Sequence, residues 1–308
     1  MRGRLRPEAM FPADVPGIRT RRVKLAGGLE LRIAECGDLI APPVLLLHGW
    51  GASLYMWRAW FAPLAAAGLH PIAIDLPGHG LSDKPDHDDE YRLERMCATL
   101  RELLEAEHLT AVHIVAQSMA GTIALDLALA ADSRVNRLVL INPACFGRIR
   151  LQTLGRAVSP PAVDTLLPRL VTRWVVSRAH RMVYGDPSLI TERDEDEYWA
   201  PSQFPAYARA MRRLLHVFPW TRAPVARMTE RLRGLPRRAL VVLGTRDRLV
   251  RDSRDYVSRL RSADAPIIVH EVEGGGHAVN EERPAEVVSL VLPYLKAAEP
   301  VRGQHRAT

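Results

Sequence analysis

Cysteine is nearly absent from this chain. The three present, Cys36, Cys97 and Cys145, are widely spaced and form neither a C-x-x-C pair nor a Cys/His cluster with metal-ligand spacing. That excludes a disulfide framework and a cysteine-based metal centre. It reads as free buried thiols in a reducing compartment, so a cytoplasmic protein is expected. A cysteine nucleophile has no support, because none of the three sits between a strand and a helix. Long hydrophobic runs are missing too: no apolar stretch approaches the ~18–20 residues needed to span a bilayer. Pro12 and Pro16 interrupt the region where the apolar part of a secretory leader would lie, so no leader is expected. Aromatic residues make up only 6% of the chain and are not interleaved with a basic stripe, which argues against nucleic-acid binding. Lysine is almost wholly replaced by arginine, with Lys24, Lys84 and Lys296 the only three among 42 basic residues.

What is present suits one large domain, or one domain with an insertion. The chain has 308 residues, 47% of them apolar and 25% charged, enough for a sizeable core. The net charge of +7 is uneven: residues 144–238 hold seventeen Arg against four Asp and four Glu, or +9, leaving the rest at −2. That excess reads either as solvated helix faces in an arginine-biased chain or as attraction for an anionic substrate.

Short strand patterns and helical patterns alternate along most of the sequence. Strands are expected at 21–25, 29–34, 44–47, 71–74, 112–116, 135–141, 238–243 and 266–272. Helices are expected at 53–67, 91–107, 119–131, 253–261 and 284–295. The run Val44-Leu45-Leu46-Leu47 is apolar throughout, as for a strand buried on both faces. Strand–helix alternation at this spacing argues a mostly parallel sheet covered on both sides. Between 144 and 235 the alternation stops, and apolar residues recur at helical spacing only. This stretch reads as a helical cap over the edge of the sheet where ligands bind. The aromatic residues within it (Trp174, Tyr198, Trp199, Phe204, Tyr207 and Trp220) read equally as pocket lining or as packing. The expected organisation is an N-terminal tail (1–20), a core (21–143 and 236–298), a helical cap (144–235) and a C-terminal tail (299–308).

The most informative run is Val115-Ala116-Gln117-Ser118-Met119-Ala120-Gly121. It places a serine at a strand-to-helix junction, between residues small enough for a sharp turn. The helix beginning there aims backbone N–H groups and a positive dipole end at the serine. Taken alone, the run is also consistent with an ordinary serine capping a helix.

Three further motifs accompany it. Leu47-His48-Gly49-Trp50-Gly51 carries a buried strand into a glycine-rich turn. Leu243-Gly244-Thr245-Arg246-Asp247 ends a strand on a carboxylate. Gly274-Gly275-Gly276-His277 puts a histidine in a turn after the last strand. Ser, Asp and His occur in the chain order of a nucleophile followed by its acid and its base. His48 and His79 read as structural supports of their turns.

With these motifs in order, the chain resembles the α/β-hydrolase superfamily over roughly residues 20–298. The turn Asp75-Leu76-Pro77-Gly78-His79-Gly80-Leu81-Ser82 is similar to the family's D-x-P-G-x-G-x-S, and Glu282 and Pro284 match its H-x4-E-x-P ending. Ala116 and Ala120 depart from the usual glycines. The resemblance implies an α/β-hydrolase fold: a mostly parallel eight-stranded sheet, helices on both faces, and a helical cap inserted after strand six. It implies Ser118 as nucleophile, His277 as base and Asp247 as the acid that orients it, with the backbone N–H groups of Trp50 and Met119 holding the oxyanion. No metal and no organic cofactor is implied.

The reading is therefore a serine hydrolase of esters or similar acyl compounds, acting on a small molecule with an apolar acyl group or an anionic one. A serine at 118 argues against haloalkane dehalogenase and epoxide hydrolase chemistry, since those look-alike groups use an aspartate there. A carbon–carbon bond hydrolase of vinylogous diketones is the nearest rival, because Ser118-Met119-Ala120-Gly121 is similar to the S-M-G-G run of those members. A non-catalytic ligand-binding member of the fold is the third reading. The oligomeric state is not legible. Hydrolysis is expected to decline as pH falls through the imidazole range, around ~6.5. A rate that stays flat down to pH 4 removes His277 as the base.

Overall fold

In the computed structural model of the chain, residues 5–130, 133–149 and 151–297 are described. Strands β1 (Arg19–Lys24), β2 (Glu30–Glu35), β3 (Pro43–Leu47), β4 (His70–Ile74), β5 (Val112–Gln117) and β6 (Val135–Ile141) precede the cap region. The two-residue strand β7 (Arg148–Ile149) opens it, and β8 (Ala239–Gly244), β9 (Val250–Arg251) and β10 (Ile267–Val272) follow it. Eight of them form one sheet in the order β1-β2-β4-β3-β5-β6-β8-β10. β1 pairs antiparallel with β2, and β2 with β4, whereas the pairs from β4 through β10 are parallel. This is the α/β-hydrolase fold that the motif order implies.

Side chains alternate across each strand, and the core divides accordingly. On one face Leu45, Leu47, Ile114, Leu140 and Leu243 pack against α2 (Leu93–Ala106), α3 (Met119–Ala128) and α10 (Ser253–Ser262). On the other, Val44, Leu46, Val115, Val139 and Val242 meet α1 (Phe61–Ala66) and α12 (Pro284–Lys296). The inner strands carry apolar residues on both faces because both are covered.

Helix 53–67 forms in two pieces. Ser53 caps a 3-10 turn over Leu54–Trp57, its Oγ accepting from Tyr55 N at 3.3 Å, and α1 starts only at Phe61. Pro63 has no N–H to donate to the previous turn, so a continuous helix through it would lose a bond and clash.

Between β6 and β8 the chain forms α4 (Leu151–Val158), α5 (Leu167–Leu170), α6 (Arg173–Val183), α7 (Glu192–Trp199), α8 (Pro205–Val217) and α9 (Val225–Arg233). One detail departs from the helices-only expectation. β7 pairs antiparallel with β9, joining the start of the cap to the segment after Asp247. A two-residue ladder carries no periodicity that a sequence pattern can register.

The N-terminal segment, expected as a loose tail, is docked. Met10 and Phe11 are buried, and the Phe11 ring stands edge-on to Tyr55 with centroids 5.7 Å apart. Phe11 N donates to Glu197 Oε1 at 2.7 Å, Arg193 reaches Ala9 O at 2.9 Å, and Arg32 donates to Phe11 O. The segment thus lies between the core and α7. A single buried aromatic flanked by prolines has no period, so the sequence pattern did not reveal it. The expected C-terminal tail, 299–308, lies outside the described residues. Among the described residues no helix is long and apolar enough to cross a membrane.

The helices between β6 and β8 meet the rest of the chain through a buried polar cluster. Arg58 pairs with Asp194 at 2.7 Å and with Glu281 at 2.5 Å, and Tyr55 donates to Asp194 at 2.7 Å. His180 on α6 stacks on Tyr198 at 3.8 Å between centroids, and neither of its ring nitrogens has a hydrogen-bond partner. Burial is the main cause that lowers its pKa to about 4, opposed by Asp194 and reinforced by Arg58. The folded state therefore resists a proton that the unfolded chain accepts near ~6.5. His180's contribution to stability is intact above that value and is lost as pH falls from about 6.5 toward 4, to an extent of about 3 kcal/mol. Urea unfolding at pH 7 and pH 4.5 is expected to show a smaller acid loss for His180→Phe than for the wild type. Equal losses would discard this assignment.

Candidate active site

Ser118 lies between β5 and α3 with φ 54° and ψ −117°. A residue with a β-carbon is strained there, at a cost of roughly 1–3 kcal/mol. Neighbouring main chain holds it: Ser118 N donates to Ile141 O, and Ser118 O accepts from Gly121 N and Ala144 N, all at 3.0 Å. Ala116 and Ala120 are completely buried. The glycine that close packing demands is Gly121, where a β-carbon would lie 2.8 Å from Pro143 Cβ. The serine side chain makes no cap to its helix. Its Oγ instead lies 2.8 Å from His277 Nε2.

His277 Nδ1 is 2.8 Å from Asp247 Oδ2. Asp247 Oδ1 accepts from Leu249 N at 2.8 Å and Val250 N at 3.0 Å, so the carboxylate is fixed by its own turn rather than used as a helix cap. Asp247 and His277 have side chains only 2% and 6% exposed, and Ser118 is buried. Three residues spread over 160 positions of sequence thus meet in one water-poor row of hydrogen bonds. An imidazole so placed can take a proton from the hydroxyl while the carboxylate stabilises the resulting charge.

The glycine-rich turn after β3 lies against the serine. A β-carbon at Gly49 would approach Ser118 Cβ to 2.9 Å and overlap Gln117 Oε1. Trp50 follows Gly49 directly in this turn. Met119 is the first residue of α3, so its N–H has no carbonyl one turn back within the helix. His48 shapes the turn from below. Its Nε2 accepts from Leu76 N at 3.0 Å, so Nδ1 carries the proton shared with Gly49 O at 2.7 Å. Burial lowers its pKa, in keeping with a neutral ring. His79, also completely buried, is held well below the ordinary imidazole value by burial and by the adjacent His48. Both act as supports of their turns.

Helix α8 docks directly on this turn. Tyr207 donates to Gly51 O at 3.2 Å, and Trp50 Nε1 donates to Met211 O at 3.1 Å. Trp220 packs edge-on to Trp50. Trp174, by contrast, is 71% exposed on α6. Glu282 of the H-x4-E motif clips the histidine loop to the cap: Oε1 accepts from Gly276 N and Oε2 from Gly185 N, both at 2.8 Å.

Pattern reading missed two buried amides that reach the histidine loop, Gln117 and Asn142. Only the position of Gln117, next to the serine, was a signal. The thiols of Cys97 and Cys145 are pushed up to about 12, chiefly by burial, which leaves them protonated and unreactive. Among the described residues no three His, Cys, Asp or Glu side chains group to hold a metal ion.

A model of the alpha/beta hydrolase family matches residues 44–290. The chain is 29% identical over 285 residues to a haloalkane dehalogenase of Mycolicibacterium paratuberculosis, covering 87% of this chain and 88% of that protein. It is 26% identical over 286 residues to a 2-hydroxy-6-oxo-2,4-heptadienoate hydrolase of Pseudomonas putida, covering 90% and 97%. Among solved structures, a novel epoxide hydrolase of the alpha/beta hydrolase superfamily from hot-environment metagenomes superposes with a TM-score of 0.74 at 21% identity, covering 91% of this chain and 99% of that one.

Replacing Gly49 by Ala inserts a methyl group against Ser118 and Gln117. A displacement of that order is expected to lower kcat/KM about 10²-fold, and the overlap with buried atoms to lower Tm as well. Unaltered kinetics would show that the turn does not press on the nucleophile.

Proposed function

The chain belongs to the alpha/beta hydrolase family, and from that membership we propose that it is a serine hydrolase, cleaving an ester or related acyl bond through an acyl-enzyme. The observation that carries this reading is the pair of 2.8 Å contacts from Ser118 Oγ to His277 Nε2 and from His277 Nδ1 to Asp247 Oδ2. A serine merely capping a helix has no reason to occupy a strained backbone and face an imidazole.

In the proposed reaction Ser118 Oγ attacks the carbonyl carbon as its proton passes to His277 Nε2. The developing oxyanion is held by the N–H groups of Met119 and Trp50, each worth ~10²–10³ in rate in comparable sites. The C–O bond breaks and the leaving alcohol takes the proton from His277. Water then gives a proton to the same nitrogen, attacks the acyl carbon and releases the acid, and Ser118 regains its hydrogen. Asp247 keeps the ring in the tautomer with Nδ1 protonated.

We assign the chemistry to the core, 21–143 and 236–298, and substrate selection to the cap, 144–235. Many cap arginines are engaged by protein carboxylates, among them Arg173 with Asp196, Arg181 with Glu195, Arg213 with Asp88 and Arg193 with Glu197. That pairing favours an uncharged small ester over an anionic one, and the buried free thiols fit a cytoplasmic setting.

A second reading, carbon–carbon bond hydrolysis, is favoured by the likeness to the Pseudomonas putida dienoate hydrolase and by the Ser118-Met119-Ala120-Gly121 run. Turnover of a p-nitrophenyl ester and of a 2-hydroxy-6-oxo-dienoate, measured side by side, separates the two. A fluorophosphonate probe is expected to label the wild type and not Ser118→Ala, whose hydrolysis is expected to fall by at least ~10⁴-fold. A well-folded wild type that takes no label and turns over neither substrate would make the protein a binding member of the fold.

A further inference from the structure

The carbonyl oxygen of His277 accepts two buried hydrogen bonds, from Gln117 Nε2 at 2.9 Å and from Asn142 Nδ2 at 3.0 Å. The same Asn142 nitrogen donates to Gly276 O at 2.9 Å, and Asn142 Oδ1 accepts from Gly244 N at 2.9 Å. One completely buried amide therefore touches both the histidine loop and the end of β8, three residues ahead of Asp247. Its main chain joins the same assembly. Asn142 N donates to Val242 O at 2.9 Å, while the residues either side of the Asn142–Pro143 pair, Ile141 and Ala144, bond to the main chain of Ser118. Asn142 thus stands where the three segments bearing Ser118, Asp247 and His277 converge.

Few side chains satisfy this position. It needs one acceptor and a two-hydrogen donor on a short planar group, which is a carboxamide. Its φ of 42° is left-handed, where asparagine is among the best tolerated residues after glycine. A carboxylate of the same shape would set an oxygen against the carbonyls of Gly276 and His277.

We propose that Asn142 is a positioning residue for the reaction described above: by bridging Gly244, Gly276 and His277 it holds the imidazole within simultaneous reach of Ser118 Oγ and Asp247 Oδ2. The proposal rests on the serine-hydrolase reading. Its consequence is an effect on turnover and on the order of the histidine ring rather than on substrate affinity.

The test compares the wild type with Asn142→Gly, which keeps the left-handed backbone and deletes the side chain, and with the nearly isosteric Asn142→Asp. Kinetics on a p-nitrophenyl ester are expected to show kcat lowered about 10²-fold in Asn142→Gly with KM little changed. Asn142→Asp is expected to come closer to the wild-type rate as the pH is lowered, because a protonated carboxyl can donate to one of the two carbonyls that the amide served. The readout is the ratio of the two rates, since the loss of rate toward acid is common to both. A substrate-free readout is the low-field proton resonance of the His277–Asp247 hydrogen bond, expected to be sharp in the wild type and lost in Asn142→Gly. Wild-type kcat and an unchanged resonance in a folded Asn142→Gly overturn the proposal. So do parallel pH profiles for Asn142→Asp and the wild type, and that comparison decides if the glycine variant does not fold. A wild type that shows the sharp resonance but resists fluorophosphonate labelling counts against the serine-hydrolase reading instead.

Discussion

Ser118 occupies a backbone conformation that costs a residue with a β-carbon roughly 1–3 kcal/mol and that only surrounding structure can impose. The parallel sheet supplies that structure. β5 delivers the serine, β6 ends beside it and lends the carbonyl of Ile141, and α3 begins before the hydroxyl can turn back to cap it. Strain of this kind survives because the core on both sheet faces is closed by helices, so the junction has nowhere to relax. The packing of Gly121 against Pro143 belongs to the same device. It explains how alanines can stand at 116 and 120: the point of closest approach lies one residue further along.

The histidine loop is suspended between two bodies. From the sheet side it is held by Gln117 and Asn142, and on the other side Glu282, five residues beyond His277, ties it to Gly185, just past the end of α6. Burial raises the pKa of Glu282, and three backbone N–H groups work against that shift. The glycine-rich turn beside the serine has a similar double allegiance, resting on His48 below and accepting Tyr207 from the cap above. Geometry in the site is therefore a property of the sheet and of the helices between β6 and β8 together.

The sheet, the turn at Ser118, the strand end at Asp247, the glycine run before His277 and the helices between β6 and β8 each leave a local mark in the sequence: an apolar strand, a small-residue turn, a glycine run, or helical spacing. What escaped was set by single contacts between distant segments. Asn142 looks like any polar residue at a strand end, and nothing in Leu140-Ile141-Asn142-Pro143 announces that its amide will meet a loop more than 130 residues away. Phe11 is one apolar residue in a proline-flanked stretch, and the β7–β9 ladder is only two residues long. The split of helix 53–67 was readable in retrospect from Pro63, a breaker that the apolar pattern overrode.

The docking of Met10 and Phe11 bears on how this chain is made. The bond from Phe11 N to Glu197 spans 186 residues, and Glu197 belongs to α7, which is synthesised well after Phe11. At ~5–20 residues per second, the aromatic peg waits about 10–40 s before its socket exists. Through that interval a greasy side chain is carried unsheltered on the nascent polypeptide. Met10 and Phe11 can thus reach their buried place against Tyr55 and Glu197 only once α7 has been made.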